Sequence, residues 1–373
     1  MTSSATILRA LTVGALLATA ACEDARQPIS PEFEPSLALT SANDEHYALQ
    51  WGLRQIGAQA AWSVSTGKKQ VIAIVDTGVD LSHPDLQAKL VPGATFTGCA
   101  DTGPCGNGDW KSGTPEAQAE GFSSHGTHVA GIAAAITGNG RGIAGVAPAA
   151  KIMPVKVLTD SGGSFPEIAA GIRWAADNGA DVINLSLGAI PGVQVLALAG
   201  ELSDAKLAIN YAVSKGVVVV AAAGNDFAAI CGEPSFSPNA MCVAATDNKE
   251  QRAAYSNFTI HQDLNVVAAP GGAALLSCAE DIISTVPVEA AGSCSKTLGT
   301  PGGYDVMAGT SMAAPHVAGV AALLTAQGRD VFQVYDVLKR TARTPVTGLR
   351  GFFTPTHGFG IVDAAAAVAA PIR

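Results

Sequence analysis

The chain holds 373 residues, 48% hydrophobic and 14% charged, with a positive mean hydropathy; this is ample for a large core and excludes a disordered chain. Its formal charge of −9 comes without any Lys/Arg cluster, and phosphate binding needs concentrated positive charge, so no nucleic-acid partner is expected. Length alone allows two domains, although single α/β domains reach this size.

At the N-terminus, Arg9 precedes an apolar stretch over 10–21 that finishes in small residues. It is too short to span a bilayer and reads as a cleaved export signal, residues 1–21. Cys22 stands at the boundary, where two readings stay open: a lipid anchor on Cys22, or simple cleavage near Ala20. Residues 22–42 are rich in Pro, Ser and acidic side chains and read as a flexible linker. The folded body is expected over 43–373.

Within the body, short β-branched runs alternate with longer Ala-rich stretches. The runs at 71–75, 152–158, 182–187, 217–222 and 264–268 suit central strands. The stretches at 126–137, 167–178, 203–214 and 311–326 suit helices. Such alternation predicts an α/β fold, a mostly parallel sheet with helices on both faces. Segment 94–122, rich in Gly, Thr and Ser, reads as a long surface loop. Of seven cysteines, Cys22 stands alone and six lie in close sequential pairs: Cys99 with Cys105, Cys231 with Cys242, Cys278 with Cys294. Six cysteines allow 15 pairings, of which neighbour pairing is preferred, and an exported chain meets conditions that favour disulfides over metal thiolates.

Three patches set one reactive side chain each among small residues. Asp76 ends the run VIAIVD, at the carboxyl end of a buried strand, where open α/β sheets bind ligands. Taken alone, an Asp in an Asp-Thr-Gly turn is the better explanation. His125 opens HGTHVAG, with Gly126 permitting close backbone approach, while His128 reads as structural. Ser311 in GTSMAAPHVAG opens a helix, where free amides stabilise a developing oxyanion; a helix N-cap is the plain alternative. The conjunction of carboxylate, imidazole and hydroxyl separates these readings, because together they are the parts of an activated serine nucleophile.

DTGVDLSHPDL, HGTHVAG and GTSMAAPHVAG resemble, nearly residue for residue, the three active-site signatures of the subtilisin-like serine peptidases, the subtilases. The order Asp, His, Ser is also theirs. The resemblance spans roughly residues 43–368 and implies a three-layer subtilisin-like α/β fold. It further implies an exported, monomeric serine endopeptidase that binds peptide or protein substrates as an extended strand. Asp76 would orient, His125 act as general base and Ser311 attack. Asn225, in VVVVAAAGND, is similar to the family's oxyanion asparagine. Ser186, Leu187 and Gly188, with Gly224 and Gly232, would line the substrate strand and S1 pocket. A broad, apolar P1 preference is implied, with a basic P1 left open by Asp226 and Glu233.

The resemblance also implies structural calcium, Ca2+, held by Asp44, Asp85, Thr137, Asn139, Arg141 and Ile143, with side-chain oxygens from the Asp and Asn residues and carbonyls from the rest. A solvated Gly-Asn loop is the alternative for residues 137–143. Two departures stand out. Residues 23–42 occupy the place where secreted subtilases usually carry an inhibitory propeptide, so folding without one, or with help from another chain, is expected. The stretch from Asp76 to His125 is enlarged by a segment holding Cys99 and Cys105, read as an insertion beside the cleft.

Overall fold

A computed structural model describes residues 42–99, 103–112, 123–188, 201–274, 277–290, 292–300 and 302–372. The expected signal, Cys22 and all but the last residue of the expected linker lie outside the described residues, as does part of the 94–122 loop.

Among the described residues nine strands form two sheets. Strands β1 (Val71–Asp76), β2 (Ala94–Thr95), β3 (Lys151–Lys156), β4 (Val182–Leu185), β5 (Val218–Ala222), β6 (Met241–Thr246) and β7 (Asn265–Pro270) make the larger one. Strands β8 (Ile282–Thr285) and β9 (Tyr304–Met307) pair antiparallel as a small second sheet. The order of the large sheet is β2-β3-β1-β4-β5-β6-β7, and every pairing in it is parallel. Its central strands are buried almost throughout, which is why they read as continuous apolar runs and not as alternating patterns.

The helices are α1 (Trp51–Gln55), α2 (Ala58–Ala61), α3 (His125–Ala134), α4 (Phe165–Asp177), α5 (Glu201–Ser214), α6 (Ser293–Leu298), α7 (Thr310–Thr325), α8 (Val331–Thr341) and α9 (Ala364–Ala369). Local chemistry starts several of them. Ser164 and Glu167 cap α4 reciprocally with Pro166 in its first turn, and Asp330 and Gln333 do the same for α8. Helix α7 is buried from Met312 to Leu324, and its small residues let it sit close to its neighbours; at Gly319 a side chain would overlap Val146.

Helices α3 and α7 pack against each other, while α4 and α5, which follow β3 and β4, pack together. The sheet therefore lies between two helical layers, as the alternation predicts. After β1 the chain passes through α3 to reach β3 on one flank of β1, then through α4 to β4 on the other flank. Adjacent strands β1 and β4 thus send their connections to different helical layers. Such a reversal opens a crevice at the carboxyl ends of the strands, where this fold class binds ligands.

The three disulfides are Cys99–Cys105, Cys231–Cys242 and Cys278–Cys294, each pairing sequence neighbours as preferred from the spacing. The helix expected over 126–137 stops at Ala134, because the next residues leave the axis to form the loop beside Asp44 and Asp85. The other helices and strands read from the sequence are present within a few residues.

Candidate active site

Asp76 is the last residue of β1 and is fully buried. Its Oδ1 accepts the Thr77 amide at 2.7 Å and lies 2.7 Å from Nδ1 of His125, the first residue of α3. That approach requires a glycine next in line: a side chain at Gly126 would collide with the Gly78 carbonyl. The Gly126 amide instead donates to Thr77 Oγ1 at 2.9 Å, tying the start of α3 to the turn after β1. Behind it, Ser284 Oγ and Thr285 Oγ1 donate to the carbonyls of His128 and Thr127, and the His128 ring meets the Ile282 carbonyl at 2.9 Å. His128 is buried and its pKa is pushed down to about 3, chiefly by desolvation and then by the charge of His125, which suits a neutral structural residue. For His125 burial works against the charged ring, but the charge and hydrogen bond of Asp76 outweigh it and hold its pKa above the ordinary value.

Ser311 is the second residue of α7, so its backbone amide lies in the first, unpaired turn of that helix and Ser311 is not the N-cap. Its hydroxyl donates to the Ser186 carbonyl at 3.3 Å, and Ser186 Oγ returns a bond to the Ser311 carbonyl at 2.7 Å. Asn184 Nδ2 supports Ser186 Oγ at 2.8 Å. The end of β4, at the reversal beside β1, is therefore laced to the start of α7.

Asn225 follows β5 and is exposed. Its Oδ1 accepts both the Thr310 amide at 2.9 Å and Thr310 Oγ1 at 3.0 Å, while Gly224 donates its amide to the same Thr310 hydroxyl. With the amide oxygen so occupied, the two N–H groups of Asn225 are left for a ligand beside the Ser311 amide. The residue just before Ser311 thus fixes the one that follows β5.

Of the residues expected to line the substrate strand, Gly224 and Gly232 lie on neighbouring stretches of backbone. The Gly232 amide donates to the Ala223 carbonyl at 2.8 Å, next to Gly224. Gly188 is exposed, and among the described residues a side chain there would meet only the Glu233 carbonyl, at 3.7 Å. Ser186 and Leu187 are buried at the β4 end. Burial raises the Glu233 pKa. Residues 189–200, next in sequence, lie outside the described residues.

The residues nominated for calcium meet on the far end of α3. Asp44 accepts the amides of Gly138 and Asn139, and Asp85 accepts Asn139 Nδ2 at 2.7 Å and the Ile143 amide at 3.0 Å. Both carboxylates are buried, and neither forms an ion pair among the described residues. Desolvation pushes the Asp85 pKa up to about 6. The carbonyls of Thr137, Arg141 and Ile143 accept no hydrogen bond among the described residues. No group of three or more His, Cys, Asp and Glu gathers among them, and Asn139 turns Nδ2 to Asp85 while its Oδ1 accepts the Arg141 amide at 2.8 Å, but two buried carboxylates on a loop with unpaired carbonyls suit a hard cation.

Sequence reading missed Thr77, Thr310, Gln50 and Asn257. Thr77 and Thr310 adjoin motif residues, so position was their signal. Gln50 bonds the Ala144 amide and carbonyl, both at 2.8 Å, bracing the 137–145 loop, and nothing local in the sequence marks it.

Comparison with known proteins gives concordant results. A family model described as the Subtilase family matches residues 67–361. Thermitase of Thermoactinomyces vulgaris is 41% identical over 302 residues, covering 80% of this chain and 91% of that protein. An extracellular protease of Xanthomonas campestris is 38% identical, covering 90% of this chain and 58% of that protein. A solved protease from Pseudoalteromonas arctica superposes with a TM-score of 0.71 at 35% identity, over 88% of this chain and 98% of that one.

Proposed function

Since the chain belongs to the subtilase family and is a serine endopeptidase, we propose that Asp76, His125 and Ser311 form its catalytic triad and that Asn225 completes the oxyanion hole. The observation that carries the assignment is the 2.7 Å bond between buried Asp76 and His125 Nδ1, which leaves Nε2 as the base. The Ser311 hydroxyl rests on the Ser186 carbonyl and turns to Nε2 when substrate arrives, as active-site hydrogen bonds often tighten only in the complex. Oγ then bonds to the peptide carbonyl carbon, and its proton passes to Nε2. The tetrahedral oxygen takes hydrogen bonds from the Asn225 side chain and the Ser311 amide. As the C–N bond breaks, the same proton leaves with the amine; water repeats the sequence to release the acid.

Substrate would lie as an extended strand along residues 186–188, its P1 side chain between Gly188, Gly224 and Gly232. The absence of side chains at these glycines favours a broad, apolar P1. Calcium would be held by Asp44, Asp85 and Asn139 side chains with the carbonyls of Thr137, Arg141 and Ile143. Bound there, it offsets the charge of two buried carboxylates and supplies stability, not chemistry. An extracytoplasmic location is supported by the three disulfides and by a relative named as extracellular.

Treatment with a fluorophosphonate probe tests the assignment. Wild type should be labelled at Ser311 and Ser311→Ala should not; equal labelling of the two removes the nucleophile.

A further inference from the structure

We infer that Asn257 is a positioning residue for the oxyanion hole, acting through Asn225 without touching substrate; this rests on the oxyanion reading above. Asn257 lies in the connection between β6 and β7, more than thirty residues after Asn225, and only 2% of it is exposed. Its backbone amide and both polar atoms of its side chain are spent on the loop that carries Asn225, while its carbonyl accepts the Ser256 hydroxyl at 2.9 Å. Its backbone amide donates to the Gly224 carbonyl at 2.9 Å. Its Nδ2 donates to the Ala223 carbonyl at 2.9 Å. Its Oδ1 accepts the amides of Asp226 and Ala228, each at 2.9 Å. The loop is thus gripped on both sides of Asn225, while Asn225 itself makes no bond to Asn257.

Two further facts fit a positioning role. Gly224 adopts a φ of +104°, which glycine tolerates readily, and a side chain there would collide with Asn257 Nδ2. Neighbouring bonds run the same way: the Phe227 amide donates to the Tyr255 carbonyl at 2.8 Å and the Phe258 amide to the Ala228 carbonyl at 2.9 Å. Thr310 fixes one end of the Asn225 side chain, and Asn257 fixes the backbone from which that side chain springs. An oxyanion donor is effective only when held where charge develops, so slack of a fraction of an ångström in this loop weakens the transition state and leaves ground-state binding alone.

The test is a double-mutant cycle with kcat, KM and melting temperature measured on the full chain, kcat being expressed per folded molecule. Asn257→Ala should lower kcat by about 10-fold with KM within twofold. In an Asn225→Ala background, itself down by about 100- to 1000-fold, the same change should alter kcat by less than about twofold. Asn257→Asp keeps both amide-accepting bonds and should recover part of the loss; it carries the cycle if the alanine variant does not fold. A loss of equal factor in both backgrounds, or a fall in melting temperature with native kcat, overturns the inference and leaves the oxyanion reading standing. Native kcat in Asn225→Ala overturns both.

Discussion

Asp76 and Asp85 lie nine residues apart, and both are fully buried, yet they meet opposite surroundings. Asp76 faces a titratable imidazole and transfers its influence outward, raising the His125 pKa. Asp85 accepts from the neutral donors of Asn139 and Ile143, with the Tyr304 hydroxyl beside it and no ion pair among the described residues, and burial acts on its own proton, raising its pKa to about 6. A buried carboxylate with a cationic partner works on that partner; one without such a partner either holds a proton or recruits a cation from solution. On the proposed function, the first arrangement would serve chemistry and the second stability, at the two ends of α3.

The sharpest way to break this contrast is at the catalytic end. Ser311→Ala should lower kcat by about 10⁶-fold while leaving the melting temperature near native, since the hydroxyl makes one long hydrogen bond. Asp76→Asn should follow at about 10⁴-fold, because the amide cannot favour the tautomer with Nε2 free. It should also move the pH profile. With His125 as the base, its neutral form is required and its pKa is raised, so wild-type kcat/KM should be lost as pH falls through a value above the ordinary 6.5. Removing the carboxylate charge should shift that midpoint to lower pH. A midpoint that stays put in Asp76→Asn would mean that Asp76 does not tune His125.

Disulfides come next in size. Reduction of the unfolded body should add six protons in an intact-mass measurement, from the three bridges. Replacing Cys231 and Cys242, whose bridge ties the 223–240 loop to β6 beside Gly232, should cost about 3 kcal/mol of stability, measured by denaturant unfolding. A change below about 1 kcal/mol would show that the parallel sheet alone holds the loop.

What the sequence disclosed follows from where each signal resides. Strands β1, β3, β4, β5 and β7 announce themselves as β-branched runs because both faces are buried. Strand β6, MCVAAT, is equally buried, but its small residues carry no β-propensity, and its place is set by β5 and β7 on either side. Strand β2 has two residues, too few for any period to register. Helix α8 has a legible start in Asp330 and Gln333, although the elements read from the sequence leave it out. The reactive residues were legible because small neighbours mark close approach, as Gly126 does beside Asp76. Asn257 was not: its partners at 223–228 become neighbours only when β5, β6 and β7 align, and no local pattern encodes that.

The smallest expected effect probes the other end of α3. If calcium binds where Asp44 and Asp85 converge, chelator should lower the melting temperature, and readdition should restore it. At a free concentration a hundred times Kd, binding stabilises by about 2.7 kcal/mol, or roughly 5 °C for a body of this size. The sign with pH follows from competition. A proton and a cation seek the same oxygens of Asp85, whose pKa is about 6, so the calcium-dependent shift should be full near pH 8 and shrink as pH falls through that value. Asp85→Asn removes one of the two charges that the cation would meet and should abolish most of the response. Melting temperatures unchanged by chelator at pH 8 would leave the 137–145 loop a neutral hydrogen-bonded turn, with Asp85 keeping its proton well above the ordinary carboxylate range.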